Sequence, residues 1–472
     1  MRWSDFPKWG HWLADWAASY HNGLRDRPVR AQVQPGETLA ALPATPPEAP
    51  QPIAQVIEDF ERIVMPGITH WQHPRFFAYF PSNASPAAVL ADQLATVMAP
   101  QCMLWQTSPA ATEMETRMME WLRHAVGLPE TFAGVIQDSA SSATLAAVLT
   151  MRERALTWQG NAAGLSGQPR LRIYCSPEAH SSIDRAIWVA GIGQENLVRV
   201  PLAPGPMRAM CPAALTAAIE ADLAAGHRPA GVIACTGATG MGACDDVAAL
   251  CTIAGRFGLY THVDAAWAGS AMICPEFRSL WAGVEMADSV VFNPHKWLGT
   301  QFDLSAHFIR SPADLTRTLA IQPEYLKTHG ADGVINYSEW SVPLGRRFRA
   351  LKLWFLLRAY GLEGLRQMIR NHVTWAQSLA QRLQAVPDFE IVSQPILSLF
   401  TFRFCPAGMS AEEATLDLIT QINNDGRIYL TQTRVDDRFV IRFQAGQFDC
   451  TAADINTAYD VITEIADKIR KG

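Results

Sequence analysis

The chain has 472 residues, of which 49% are hydrophobic and 18% are charged, enough for a large core and one smaller domain. A formal net charge of -6, without any run of five like charges, gives no basic surface for nucleic acid. The first twenty residues mix charges with tryptophans and lack the apolar core of a secretory signal. The most apolar helical stretch, residues 351–362, is too short and too charged to span a membrane. We therefore expect a cytoplasmic globular protein that acts on a small molecule and binds neither nucleic acid nor membrane.

The nine cysteines are odd in number, scattered, and never spaced as C-x-x-C. This distribution supports neither a zinc site nor a disulfide framework. We predict reduced, mostly structural thiols and no bound metal.

The amino-terminal segment carries apolar residues at helical spacing, followed by five prolines between residues 43 and 52. The apolar stripe consists of Trp3, Phe6, Trp9, Trp12, Leu13 and Trp16. Such a stripe packs against another element, and the prolines predict an extended connector. We expect residues 1–85 to form a helical arm and dimerisation segment that lies across a partner subunit.

Short apolar runs alternate with helical stretches between residues 86 and 310. The pairs are 134–136 with 143–155, 171–174 with 182–190, and 231–234 with 246–257. This alternation predicts an α/β fold in which helices cover a mainly parallel sheet. We assign residues 86–350 to this large domain and residues 351–472 to a smaller α+β domain.

Two further apolar runs, residues 259–263 and 289–292, are followed by Asp264 and by Lys296. Ligands of parallel α/β sheets bind at the carboxyl ends of the strands. A lysine amine there can hold pyridoxal phosphate as a Schiff base, and an aspartate can keep the pyridine nitrogen protonated. The sequence therefore predicts a pyridoxal-phosphate enzyme.

A serine-rich turn at residues 137–142 lies between a predicted strand and a helix. Free backbone N–H groups at a helix N-terminus bind phosphate, although a serine cap by itself is common. Together with the lysine and aspartate, this turn is the predicted phosphate seat. Asn293 and His295, beside the lysine, can supply further contacts.

Two other residues follow predicted strands and allow a structural as well as a functional interpretation. His180 is either a structural histidine or an imidazole that stacks on the cofactor ring opposite Ala266 and returns a proton to the substrate. Thr239 either belongs to a glycine-rich turn or donates a hydrogen bond to the phenolic oxygen of the cofactor. The glycine loops do not match G-x-G-x-x-G or the P-loop, which disfavours a dinucleotide or nucleoside triphosphate.

Six motifs together resemble the group II pyridoxal-phosphate decarboxylases, specifically the aromatic-L-amino-acid decarboxylases. The motifs are residues 69–74, 77–81, 179–182, 262–271, 293–297 and 343–348. The resemblance runs from about Trp3 to the carboxyl terminus. It implies an aspartate-aminotransferase-like fold (fold-type I), an obligate homodimer with clasping amino-terminal arms, and a site built from both chains.

The resemblance also implies residue roles. Lys296 matches the Schiff-base lysine, Asp264 the partner of the pyridine nitrogen, and His180 the stacking base. The other cofactor contacts that it implies are Ala266, Thr239, Ala140, Ser141, Asn293 and His295. The substrate pocket that it implies contains Trp71, Tyr79, Phe80, Pro81 and Ser82, with Gln101, Met103 and Gly345.

Four of these pocket residues bear on the choice of substrate. Ser82 stands where animal relatives tend to have threonine. The segment with Gln101 and Met103, which the partner chain contributes in the family, is less aromatic than theirs. Gly345 matches a position where indole-accepting plant relatives carry glycine.

The activity implied is decarboxylation of DOPA, 5-hydroxytryptophan, tryptophan, tyrosine or phenylalanine to the arylalkylamine and carbon dioxide. The alternative is an aromatic aldehyde synthase, in which oxidative deamination follows decarboxylation. Tyr325 lies in a polar, glycine-containing stretch that predicts a loop closing over the site. In this family, tyrosine at the matching position goes with decarboxylases and phenylalanine with aldehyde synthases, so we expect Tyr325 to be the proton donor of a decarboxylase.

Two other classes of protein fit the sequence less well. A non-catalytic protein on a decayed scaffold would have lost Lys296, Asp264 or His180, and all three are present. Glutamate and sulfinoalanine decarboxylases share the lysine motif but need basic groups for an acidic side chain, whereas the predicted substrate stretch is apolar.

Overall fold

The computed structural model of the chain describes residues 1–321 and 333–471. These form two compact units, one of residues 1–81 with 374–472 and one of residues 82–373. The predicted division at residues 85 and 350 stays a prediction. We call the two units the smaller and the larger unit.

The strands of the larger unit form one seven-stranded sheet in the order β1-β7-β6-β5-β4-β2-β3. They are β1 (Ala133–Gln137), β2 (Leu171–Cys175), β3 (Leu197–Arg199), β4 (Arg228–Cys235), β5 (Tyr260–Asp264), β6 (Ser289–Phe292) and β7 (Ser305–Ile309). β7 runs antiparallel to both of its neighbours, and the other pairs are parallel. The predicted α/β class with a mainly parallel sheet is confirmed.

Helices connect the parallel strands and cover the sheet. The described residues form α1 (Phe6–Asn22), α2 (Glu37–Ala41), α3 (Ile53–Asp59), α4 (Pro86–Met98), α5 (Pro109–Val126), α6 (Ala140–Ala155), α7 (Gly160–Ala163), α8 (Ser182–Val189), α9 (Pro212–Ala224), α10 (Val247–Arg256), α11 (Pro294–Trp297), α12 (Pro312–Leu319), α13 (Ala350–Gln384), α14 (Ala411–Asp425) and α15 (Ala452–Lys471). Every residue of β5, β6 and β7 is buried, as expected for central strands covered on both faces.

The smaller unit contains an antiparallel sheet in the order β10-β11-β9-β8. Its strands are β8 (Phe389–Ile396), β9 (Leu399–Phe404), β10 (Thr431–Val435) and β11 (Arg438–Gln444). Phenylalanines of β9 and β11 pack with α14 and α15 in a buried core that also takes in Phe77. This core fixes the segment around Phe77, which carries several predicted substrate residues, onto the sheet.

The predicted amino-terminal helix is present as α1, and none of its residues is fully buried. It contacts its own chain through Trp16, whose ring lies 5.7 Å from that of Phe60. Tyr20 adds a hydrogen bond to His70, with 2.9 Å between its hydroxyl oxygen and the Nδ1 atom. The helix therefore packs in part on its own unit, and its contact with a partner subunit stays a prediction.

No helix in the described part of the chain is long and apolar enough to cross a membrane. All nine cysteines are free thiols, and seven of them are buried.

Candidate active site

Four strand ends meet at one edge of the large sheet. β1 runs in the same direction as β6 because both are antiparallel to β7. The ends of β1, β4, β5 and β6 therefore lie together, and Asp264 is in register with Cys235 of β4 and Val291 of β6. The segments that follow these strands carry most of the predicted cofactor residues.

Lys296 lies in the one-turn helix α11, directly after β6. Its backbone N–H donates to the Asn293 carbonyl at 2.9 Å. Its own carbonyl accepts from the Asn83 side chain at 3.0 Å. Asn83 in turn belongs to a short backbone pairing, in which Ala84 forms a bridge with Thr300. The lysine backbone is thus held by one neighbour in sequence, Asn293, and by one distant residue, Asn83. Sequence analysis did not identify Asn83.

Asp264 is the last residue of β5 and is only 9% exposed. Its Oδ1 atom accepts from the Ala266 backbone N–H at 3.1 Å. Ala266 packs against a buried cluster that contains Ala140 and Ala143 of α6 with Val291 of β6. The structure therefore brings the predicted pyridine partner, the predicted ring-face residue and the predicted phosphate seat together.

His180 lies between β2 and α8, and its Nδ1 accepts from the Ser182 backbone N–H at 3.1 Å. Because an acceptor nitrogen carries no proton, the neutral imidazole holds its proton on Nε2. Partial burial lowers the pKa of His180, the Lys296 ammonium lowers it further, and the Asp264 carboxylate opposes them. These interactions place His180 within electrostatic reach of both Lys296 and Asp264.

The predicted phosphate seat is a capped helix N-terminus. The Ser139 hydroxyl accepts from the Ser142 N–H at 3.2 Å and caps α6. Ala140 is buried and Ser141 is exposed at the start of this sixteen-residue helix. Ala266 packs against the cluster that contains Ala140, so the first turn of the helix lies near Ala266. Such a position favours a phosphate group.

Thr239 lies in the turn that follows β4, at the same edge of the sheet. Gly237 in this turn has a φ of +79°, and a Cβ atom there would lie 2.5 Å from that of Ala268. Only glycine fits so close an approach. The proposed hydrogen bond from Thr239 to the cofactor stays a prediction.

Asn293 and His295 support the lysine helix. The Asn293 Oδ1 atom accepts from the Ser305 hydroxyl at 2.6 Å. The His295 Nδ1 atom accepts from the Leu304 N–H at 3.0 Å. Burial, followed by the charge of Lys296, lowers the pKa of His295 to about 3, so this imidazole is neutral. Their predicted contacts with the cofactor remain predictions.

Asp245 is a buried acid that sequence analysis did not single out. Its two carboxylate oxygens accept from the backbone N–H groups of Met210 and Cys235, at 2.6 and 2.7 Å. Burial raises the pKa of Asp245 to about 6. These hydrogen bonds hold the end of β4 beside Asp264. Sequence analysis could not predict them, because the partners of Asp245 are distant along the chain.

Gln101, Met103 and Gly345 form a separate group within the larger unit. The Gln101 Oε1 atom accepts from the Arg346 N–H at 2.6 Å, and the Met103 carbonyl accepts from the Ser338 N–H at 3.0 Å. Gln101 and Gly345 line one cavity of about 440 Å³. Among the described residues, the hydrogen bonds of this group do not reach the Lys296 site. Their role as residues that one chain supplies to the other stays a prediction.

Arg346 anchors this group; it lies in the 343–348 motif, but sequence analysis gave it no role. It is 5% exposed, and its guanidinium binds the Glu115 carboxylate and the Ile136 carbonyl. Glu115 also accepts from the Ile136 N–H at 2.8 Å. The arginine therefore connects Gly345 to strand β1.

The predicted apolar substrate residues Trp71, Tyr79, Phe80 and Pro81 lie in the smaller unit, and Ser82 begins the larger one. The rings of Trp71 and Tyr79 stack with centroids 5.7 Å apart. Both rings are exposed, by 40% and 48% respectively, whereas Phe80 is buried. Ser82 directly precedes Asn83, the residue that holds Lys296. Tyr325 lies outside the described residues.

The functional groups at the edge of the large sheet fit pyridoxal phosphate. It offers a primary amine, a carboxylate fixed by a backbone N–H, an imidazole with a defined tautomer, and the N-terminus of helix α6. These are the groups that can bind an aldehyde, a pyridine nitrogen, an aromatic ring and a phosphate. The arrangement defines a pyridoxal-phosphate enzyme.

Comparison with known proteins gives the family. The model for the pyridoxal-dependent decarboxylase conserved domain matches residues 35–405, and the chain belongs to this family. Pyridoxal phosphate is therefore its cofactor, and the chain is an enzyme of the carboxy-lyase class.

Individual relatives cover almost the whole chain. Aromatic-L-amino-acid decarboxylase of Mus musculus is 40% identical, over 98% of this chain and 98% of its own. Phenylacetaldehyde synthase of Arabidopsis thaliana is 38% identical, over 97% of this chain and 95% of its own. The crystal structure of Oryza sativa TDC with PLP and tryptamine superposes with a TM-score of 0.96 at 35% identity, covering 100% of this chain and 99% of that one. The predicted fold-type I architecture is confirmed.

Proposed function

We propose that this enzyme decarboxylates aromatic L-amino acids to arylalkylamines and carbon dioxide. The candidate substrates are DOPA, 5-hydroxytryptophan, tryptophan, tyrosine and phenylalanine. The observation that carries the proposal is the convergence of Lys296, Asp264 and His180 at one edge of the sheet. The 40% identity with a mouse aromatic-L-amino-acid decarboxylase supports it.

The residues of the site have separate tasks in this reaction. The cofactor, when bound, withdraws electrons from the carbon that loses carbon dioxide. Lys296 supplies the amine that holds the cofactor. Asp264, fixed by the Ala266 N–H, supplies a negative charge for the pyridine nitrogen. The α6 N-terminus supplies donors for the phosphate.

His180 supplies a proton donor at a defined atom. Its Nδ1 is occupied by the Ser182 N–H, so Nε2 carries the proton and is available to the substrate or the cofactor. Because the pKa of His180 is lowered, the imidazole is neutral at physiological pH. A neutral ring adds no second positive charge beside Lys296.

An aromatic substrate is favoured by the residues around Tyr79. Trp71, Phe76, Tyr79 and Tyr429 form a continuous group of rings with centroids 4.6 to 6.4 Å apart. Two of these rings, Trp71 and Tyr79, keep large exposed faces. Flat, half-exposed rings suit another aromatic ring better than a carboxylate side chain.

The second candidate function is that of an aromatic aldehyde synthase. It is favoured by the 38% identity with a phenylacetaldehyde synthase over nearly the whole chain. In that reaction, molecular oxygen takes the electrons of the decarboxylated carbon before a proton reaches it and is reduced to hydrogen peroxide. Water then hydrolyses the oxidised product to aldehyde and ammonia. We place decarboxylation first because residue 325 is a tyrosine, which can donate that proton.

The test is the substitution Tyr325→Phe, which removes only the hydroxyl group. We expect the main product to change from amine to aldehyde with hydrogen peroxide, while release of carbon dioxide continues. Tyr459→Phe on helix α15 is the matched control and should still give amine. A wild-type enzyme that forms mainly aldehyde, or a Tyr325→Phe variant that still forms mainly amine, would remove the basis for this ranking.

We further propose that the enzyme is a homodimer in which the partner supplies residues 101–103. In the smaller unit, α1 and the turn before it expose Trp3, Phe6 and Leu13. In the larger unit, α4 exposes Leu90, Leu94, Val97 and Met98. Exposed apolar faces of this kind indicate surfaces that another chain covers.

A further inference from the structure

Tyr79 has an unusual backbone conformation at the centre of the predicted aromatic pocket. Its φ of +45° lies in the left-handed region, which side chains other than glycine seldom adopt. A residue holds such a conformation only when its surroundings impose it. The same residue presents its ring to Trp71 and directly precedes Phe80 and Pro81.

A pair of facing side chains imposes this conformation. Thr431 of β10 and Arg442 of β11 lie opposite each other in the register of the small sheet. The Thr431 hydroxyl accepts from the Tyr79 N–H at 3.3 Å. The Arg442 guanidinium donates to the Tyr79 carbonyl. Both polar groups of the Tyr79 backbone are therefore held by one cross-strand pair.

Arg442 also holds the next residue. Its guanidinium carbon lies 4.6 Å from the centroid of the Phe80 ring, a distance typical of a cation–π contact. The arginine is 3% exposed and lies on a central strand, between β10 and β9. It cannot move away from the Tyr79–Phe80 segment without leaving the core of the sheet.

The ring of Tyr79 is fixed by a second contact. Its ring packs edge-on against that of Tyr429, two residues before Thr431, with centroids 6.1 Å apart, and it stacks on Trp71. The face that Tyr79 offers to a ligand thus depends on backbone contacts from Thr431 and Arg442 and on a side-chain contact from Tyr429. All of these contacts lie within the smaller unit.

We propose that Arg442 is a positioning residue for substrate: with Thr431 it holds Tyr79 and Phe80 so that their rings form a fixed wall against the substrate ring. The inference rests on the proposed function, since it takes the ligand of this wall to be an aromatic amino acid. Arg442 acts through Tyr79 and Phe80 and not on the reacting bonds. Its loss should therefore weaken substrate binding more than the chemical step.

The test compares Arg442→Met and Arg442→Lys with the wild-type holoenzyme on the five aromatic acids. For Arg442→Met we expect KM to rise by about tenfold or more, the effect of losing one charge-assisted hydrogen bond, while kcat falls by less than about threefold. Arg442→Lys keeps a donor for the Tyr79 carbonyl and should restore part of the lost affinity. The affinity for pyridoxal phosphate should stay within about twofold, because the cofactor residues lie in the larger unit.

Thr431→Val provides a second test in case Arg442→Met fails to fold. It leaves Arg442 and its contacts with residues 79 and 80 in place. It removes the acceptor for the Tyr79 N–H and should raise KM by about threefold or more. Thr433→Val on β10 and Arg438→Met on β11 are the matched controls, since neither side chain contacts residues 79–80 among the described hydrogen bonds.

Two results would overturn the inference in different ways. The first is an active wild-type enzyme together with variants that bind substrate normally. If the KM of Thr431→Val, and of each Arg442 variant that folds, stays within about twofold of the wild-type KM, the inference is wrong and the proposed function stands. A wild-type enzyme that releases no carbon dioxide from any of the five acids would overturn the proposed function, and this inference with it.

Discussion

Lys296 is held by a residue that no local pattern reveals. The strand ends and the residue types that follow them were enough to predict Lys296 and Asp264. Asn83, which donates to the Lys296 carbonyl, is 213 residues away along the chain. Its position depends on the pairing of residues 83–85 with 299–301, and such long-range pairing leaves no periodic signal in the sequence.

Replacing Lys296 by alanine should abolish turnover. We expect kcat to fall by at least about a hundredfold, because the variant loses the amine that holds the cofactor. The visible absorbance of the lysine-linked cofactor, measured on the purified protein, should disappear with it. Lys468→Ala, on the exposed face of α15, should leave both unchanged, and substantial activity in the Lys296 variant would refute the assignment.

Gly345→Ser should narrow the cavity that Gln101 and Gly345 line. A Cβ atom at residue 345 would lie 3.4 Å from the Gln101 amide nitrogen, so the backbone can accept a side chain there. We expect kcat/KM to fall about tenfold more for tryptophan and 5-hydroxytryptophan than for tyrosine. Gly255→Ser in α10, where a Cβ atom meets open space, is the control. Equal losses on all substrates would mean that Gly345 does not select the ring.

At the level of elements, the alternating apolar and helical runs predicted most of the large sheet. The run at residues 289–292 is β6 itself, and the run at 259–263 is β5 displaced by one residue. The antiparallel strand β7 was missed, although all of its residues are buried. A short apolar run does not reveal its direction or its neighbours, because both are set by tertiary pairing.

The small sheet was predicted less completely for a related reason. The runs at residues 389–393, 397–404 and 439–443 are rich in aromatic or β-branched residues and predict β8, β9 and β11. β10 (sequence TQTRV) lies at the edge of the sheet and carries polar residues between its β-branched ones, so no apolar run marks it. This strand matters because its Thr431 hydroxyl accepts a hydrogen bond from the Tyr79 N–H, although the two residues are 352 positions apart in the sequence. The resemblance therefore proposes substrate residues, but it does not reveal the elements that orient them.

His307 of β7 should make stability depend on pH. Burial lowers the pKa of His307 to about 3, and neither ring nitrogen has a hydrogen-bond partner among the described residues. The unfolded chain binds a proton below about pH 6.5, while the folded chain does not until about pH 3. The free energy of unfolding is therefore unaffected by this histidine above about pH 6.5 and decreases as the pH falls from 6.5 toward 3.

The substitution His307→Met should reduce this loss. We expect the unfolding free energy to rise by about 1 kcal/mol at pH 7.5, because unpaired buried nitrogens are removed. The gain should grow as the pH is lowered to 5, since the variant has no proton to take up. Urea unfolding at several pH values measures both effects, with the exposed His11→Gln as control. A wild-type pH slope that is unchanged in His307→Met would show that this histidine does not set it.

At the level of the whole molecule, the amino-terminal arm should be required for assembly. Deleting residues 1–51 removes α1 and uncovers the side chains around Phe60 and His70 that it contacts. We expect lost dimerisation or solubility and a loss of activity, because the partner would no longer supply residues 101–103. Sedimentation velocity and a turnover assay measure this, and a truncated monomer with full activity would contradict the proposed assembly.

The most direct test of the central claim is a product analysis of the purified wild-type holoenzyme with DOPA, 5-hydroxytryptophan, tryptophan, tyrosine and phenylalanine. Carbon dioxide, amine, aldehyde and hydrogen peroxide are measured in the same reactions. The site described here predicts equal amounts of carbon dioxide and arylalkylamine from at least one of these acids, with little peroxide. Mainly aldehyde with peroxide, or no carbon dioxide from any of the five, would contradict it.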